Sequence, residues 1–127
     1  MASLAERLKG EVATTGVGYS AGAGGTVTQA TSKSTGVTLN KTCGQITMHN
    51  ANLAPVTAVA FTVSNNLVAT TDTIVVNIDS VGTVGSYLVC VGAVGAGSFD
   101  VVIYNCSLGI LGEAVVLNFA VVKAVAA

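Results

Sequence analysis

The sequence predicts an all-β domain: an antiparallel β-sandwich or jelly roll of about eight strands, preceded by an extended N-terminal arm. Three observations lead there. Short apolar runs recur at spacings of roughly 8–14 residues, separated by Gly, Ser, Asn and Asp, which is the pattern of a sandwich. Val and Thr are abundant, and β-branched side chains suit a pleated surface better than a helix. Beyond residue 10 no stretch holds a useful helical period. At 127 residues the chain is one domain, long enough to bury a core without disulfides or a structural metal.

Residues 1–25 are read as the arm and 26–127 as the domain. Ser3 to Lys9 has the capping-box spacing, with Ser3 and Glu6 three apart and Leu4 and Leu8 on one face. A helix that short is marginal in water and needs something to lie on. Gly10 to Gly25 has the composition of a flexible linker. Leu4, Leu8, Val12, Val17 and Tyr19 are its candidate anchors on a neighbour.

The domain opens with a polar edge strand at Thr26–Thr31, turns at Ser32-Lys33-Ser34, and continues through Val37 and Leu39. Cys43–His49 places Ile46 and Met48 on one face. Thr57–Ser64 alternates Val59, Phe61 and Val63 against Ala58, Ala60, Thr62 and Ser64. Thr73–Asp79 aligns Ile74, Val76 and Ile78. In Ser86–Val94 both faces are apolar, Tyr87, Val89 and Val91 against Leu88 and Cys90, which predicts a central strand or a face covered by a partner. Ser98–Asn105 sets Phe99, Val101 and Ile103 inward. Glu113–Lys123 is the last and longest strand expected, with Val115, Leu117, Phe119 and Val121 inward. The loop before it holds Leu108, Ile110 and Leu111, so it is either tucked under the sandwich or part of an interface.

Charge is scarce, at 9% of residues, against about a quarter in ordinary soluble domains. No Lys or Arg occurs between Lys41 and Lys123. Monomeric sheets usually guard their edges with charge, so this scarcity points either to a soluble surface of Thr, Ser, Asn and Gly or to surfaces covered by other chains. With a net charge near zero and no basic patch, nucleic acid is not an expected partner. No apolar run reaches the length of a membrane-spanning helix, and the start lacks the apolar core of a signal peptide.

No reaction is spelled out. Asp72, Asp79, Asp100 and Glu113 fall near turns or on solvent-type faces and are expected to be solvated rather than paired for acid–base work. His49 is the sole histidine, and Cys43 lies six residues away, about 20 Å along one strand. Neither a metal site nor a cofactor cradle is expected, and the glycine runs do not precede helices. Cys43, Cys90 and Cys106 have no zinc or redox spacing; Cys90 and Cys106 are expected to be buried small hydrophobes in a reducing compartment.

The stretch Gly25–Met48 resembles a module that recurs in structural proteins of tailed phages. Phe61–Asn65, Gly97-Ser98-Phe99 and Glu113–Ala124 resemble it too, so the likeness covers about residues 25–124. The chain is similar to the head cement, or decoration, proteins of short-tailed phages. That resemblance implies a jelly-roll subunit, made in the host cytoplasm, bound to the outer surface of the virion head. The partners it implies are the major capsid protein and a second copy, a homodimer in preference to a trimer because two-fold contacts are commonest. It implies no catalytic residue and no cofactor. A tail-fibre or spike module is the alternative, binding host glycan or receptor through Asn50, Asn52, Asn65, Asn66 and Tyr104. A wall hydrolase is a third reading.

Overall fold

A computed structural model describes residues 17–127. Eight strands are present: β1 (Gly24–Thr28), β2 (Val37–Thr38), β3 (Cys43–Thr47), β4 (Thr57–Ser64), β5 (Thr73–Ser80), β6 (Tyr87–Gly95), β7 (Ser98–Asn105) and β8 (Val116–Val122). They form two four-stranded sheets, ordered β1-β3-β8-β5 and β2-β4-β7-β6. The described residues contain no helix. This is the expected all-β, sandwich-like fold of eight strands.

The pairing corrects one part of the expectation: the sheets are mixed, not wholly antiparallel. β1 runs parallel to β3 and β2 parallel to β4. The cause is how the chain crosses. Up to β6 every connection passes from one sheet to the other. Each crossing reverses direction, and two restore it, so alternate strands run the same way. Only β6 and β7 are consecutive and paired, around Gly97 at φ +82°, a conformation glycine adopts without penalty. Parallel neighbours need a long connection, and here a strand of the opposite sheet fills it.

Strand alternation builds the core. β7 buries Phe99, Val101, Ile103 and Asn105, and β8 buries Leu117, Phe119 and Val121. Phe99 meets Phe119 across the layers with ring centroids 5.5 Å apart, within the range of favourable tilted pairs. Ile46, Met48, Phe61, Val63 and Ile74 pack into it, with Val37, Leu53, Val68 and Tyr87 at its margins. Val115 is fully buried although β8 starts one residue later. The expected long last strand is therefore shorter, because Glu113 leaves the ladder to bind elsewhere. β6, at nine residues, is the longest strand. It is an edge strand and not central. Its outward Leu88 and Cys90 are exposed.

Two further expectations are corrected. Cys90 and Cys106 are exposed free thiols, not buried ones. Cys90 has the outward parity of β6, and Cys106 follows the end of β7. Asp72 is not solvated: it is buried and accepts a hydrogen bond from Lys123 at 2.6 Å.

Candidate functional site

The sandwich has two ends with different chemistry. At one end lie the loop before β4, the β5–β6 loop and the loop after β7. They expose Val56, Val81, Val84, Leu108 and Ile110, with Val84 at 98% and Leu108 at 90%. Leu111 parts from its neighbours: it packs on the core and forms a bridge with Leu53. The apolar loop is thus both tucked in, through Leu111, and presented, through Leu108 and Ile110.

Buried polar groups fix these loops. Asn105, fully buried, donates through Nδ2 to the carbonyls of Leu53 (3.0 Å), Ala54 (3.1 Å) and Gly109 (2.8 Å). Its Oδ1 accepts from the backbone N–H of Ser107 (2.9 Å) and from the Ser107 hydroxyl (2.7 Å). One amide therefore ties two loops together. The Cys106 N–H donates to Ser86 O at 2.9 Å and joins the third. Glu113 Oε1 accepts from Thr83 N–H, the Thr83 hydroxyl and the Tyr87 hydroxyl, at 3.1, 3.1 and 3.0 Å. Burial pushes the Glu113 carboxyl up, but those bonds and the Lys33 charge outweigh it, so its pKa lies below the ordinary value. The Tyr87 hydroxyl is pushed up, by burial first and then by its bond to Glu113.

Lys33 lies beneath the same loops, only 3% exposed. Its Nζ donates to the carbonyls of His49 (2.5 Å) and Glu113 (2.6 Å). Burial lowers its pKa, while the Glu113 charge pulls it back up. Gln29, also buried, donates to Lys33 O and Thr35 O and accepts from His49 N–H at 2.9 Å. His49 Nδ1 accepts from Ala51 N–H at 3.0 Å, so the histidine braces a turn. Among the described residues no group of three or more His, Cys, Asp or Glu could hold a metal ion.

Two backbone positions at this end are strained. Val56 has φ 52° and Val81 φ 54°, the only non-glycine residues with positive φ among those described. A β-branched residue there is a genuine outlier, and such strain costs of order 1–3 kcal/mol. Asn or Gly would fit without it. Both valines are exposed. Val81, with Ile78, Val84, Tyr87 and the polar Asp79 and Thr83, lines a cleft of about 360 Å³.

The outer faces of the two sheets also differ. Sheet one presents the row Thr26, Gln45, Asn118 and Asn77, with Asp79 bound by Gln45 and Asn118. Sheet two presents Ala58, Tyr104 and Leu88 in one row and Ala60, Val102 and Cys90 in the next. Asp100, bonded to Thr62 at 2.7 Å, is its one charge among the strand residues.

Of the predicted arm anchors, Leu4, Leu8 and Val12 lie outside the described residues. Val17 is exposed, and the Tyr19 hydroxyl donates to Val121 O at the end of the sandwich opposite the apolar loops. Among the residues of the glycan-binding alternative, Asn65 is buried and its amide is used internally. The sequence carried no distinct signal for Lys33, Gln29 or Asn105 as clamps; each reads as an ordinary turn or strand-end residue.

The geometry therefore defines an all-β sandwich with an apolar, internally braced loop end. A scan of protein-family models, a search of curated proteins and a search of solved structures each found no match.

Proposed function

We propose that this chain is a structural virion protein, a capsid cement that binds the outer surface of a phage head and stabilises it. The observation that carries the reading is the set of exposed branched side chains on three braced loops, beside an outer face of sheet two whose strands bear a single charge, Asp100. Apolar surface held in place in this way costs solubility and loses little entropy on binding, which suits protein–protein contact. The resemblance of residues 25–124 to phage virion modules supplies the partner, the major capsid protein. Many weak contacts around a shell reinforce one another through effective concentration.

The test adds purified protein to heads assembled without it. Co-sedimentation and a higher thermal midpoint of the shell are the expected results. Protein that stays in the supernatant and leaves the midpoint unchanged overturns the reading.

A further inference from the structure

We propose that the apolar loop end receives the N-terminal segment of a second copy, Leu4 and Leu8 seating against Leu108 and Ile110. This goes beyond capsid binding, because it is a contact between copies.

Three observations converge. The first is the chemistry of the receiving end. Val56, Val81, Val84, Leu108 and Ile110 bring no charge, and the ionisable groups beside them are the carboxylates of Asp79 and Glu113. The one cation nearby, Lys33, is buried beneath the loops. A fitting occupant is a short apolar segment without net negative charge, and in residues 3–12 Arg7 and Lys9 balance Glu6 and Glu11.

The second is the chemistry of the segment. Leu4, Leu8 and Val12 are spaced to share a side, and Arg7 and Lys9 flank Leu8. Glu6 and Glu11 lie on either side of that pair. Of the five cationic side chains in the chain, Lys33 and Lys123 have partners within the fold.

The third is where the segment starts. The Tyr19 hydroxyl binds Val121 O, and β1 begins at Gly24, both at the end opposite the apolar loops. An eight-residue strand is about 26 Å long. The nine steps from Val17 back to Leu8 reach about 30 Å when fully drawn out. A chain therefore meets its own apolar end only with almost no slack. A second copy lying antiparallel alongside brings its apolar end directly to this exit. The relation is then reciprocal: each arm enters the other subunit, and the pair closes on a two-fold axis.

The experiment is a complementation between two defective chains. One lacks residues 1–16 but keeps the receiving end. The other is full length and carries Leu108→Asp and Ile110→Asp, at exposed positions where folding is unaffected; an unchanged circular dichroism spectrum and thermal midpoint verify this. Sedimentation should show the parent chain as a dimer and each variant alone as a monomer. Mixing the two should restore a heterodimer, since one arm and one receiving end remain compatible. A truncated chain that still dimerises, or a mixture that stays monomeric, overturns the inference. Capsid binding is scored on heads lacking the protein with the truncated chain, which keeps Leu108 and Ile110: a truncated monomer that still binds heads supports both readings, and one that is monomeric but fails to bind heads overturns the capsid reading alone.

Discussion

The two ends of the sandwich are held in the same way and present different surfaces, one apolar at its loop tips and one where exposed Leu67 and Val122 lie beside charged and amide side chains. At the apolar end, buried Asn105 donates to loop carbonyls and accepts the N–H two residues on. At the other, buried Asn65 donates to Lys41 O at 2.6 Å and accepts from Leu67 N–H at 3.1 Å. Each is an asparagine at the end of an inward-facing row, closing a turn where the strand runs out. Around Asn65, however, the chain places Asn40, Asp72 and Lys123, and Lys123 bonds both Asp72 and Leu67 O. Around Asn105 it places Val84, Leu108 and Ile110. The comparison teaches that exposed apolar tips are not a sign of a poorly made end. Their loops are tied down through Asn105, Glu113 and the Cys106 N–H, so the tips are held in place for contact.

Removing each asparagine is the strongest way to test that parallel. Asn105→Ala forfeits five hydrogen bonds and strands carbonyls in two loops; we expect a loss of about 3 kcal/mol. Asn65→Ala, with fewer side-chain bonds, should cost about 2 kcal/mol. Urea denaturation gives both values. A negligible loss at either position would show that its asparagine does not hold that end and would break the parallel.

Lys33→Met tests the apolar end from beneath. It leaves the carbonyls of His49 and Glu113 without their donor and should cost about 2 kcal/mol. Amide exchange should quicken at Thr83 and Ser107 and stay unchanged at Ala69, which belongs to the other end. Uniform acceleration would mean that Lys33 supports the whole sandwich.

How much of this was legible in the sequence follows from what side-chain alternation can carry. Phe99, Val101 and Ile103 alternate with polar or smaller residues, so the inner face of β7 could be read directly, as could Phe61 and Val63 in β4. Strand direction could not. Whether β1 lies parallel to β3 depends on how many times the chain crosses between layers, and no residue within β1 encodes that. The burial of Lys33 was hidden for a related reason. Its partners are backbone carbonyls at His49 and Glu113, 16 and 80 residues away, and a carbonyl has no sequence signature. Leu108 and Ile110 stood out because large aliphatic residues in a loop break the usual pattern.

Acid reads both ends at once. The Lys123 hydrogen bond, followed by the Ala69 N–H, holds the Asp72 carboxyl below its ordinary value, and Glu113 is held low at the opposite end. An acid whose folded pKa is depressed gives its full stabilisation above the unfolded value and loses it as pH falls through the folded one. Stability should therefore decline on acidification below the ordinary carboxylate range. Asp72→Asn should flatten that decline and quicken exchange at Ala69. Glu113→Gln should flatten it too, with the change at Thr83. A pH profile unaltered by either substitution would remove both clamps from the account.

The smallest effect has the opposite sign and separates stability from contact. Val56 occupies a left-handed conformation that Asn tolerates far better. Val56→Asn should therefore stabilise the fold, by about 1 kcal/mol, as strain is released. It also replaces an exposed branched side chain on the apolar end with a polar one. If that end is a contact surface, the more stable variant must associate more weakly, the trade-off seen where a strained residue is kept for function. Thermal melting and sedimentation on one sample test both halves. A variant that is stabilised and associates as tightly as the parent would show that the strain at Val56 has no part in binding, and would leave Leu108 and Ile110 to carry the contact.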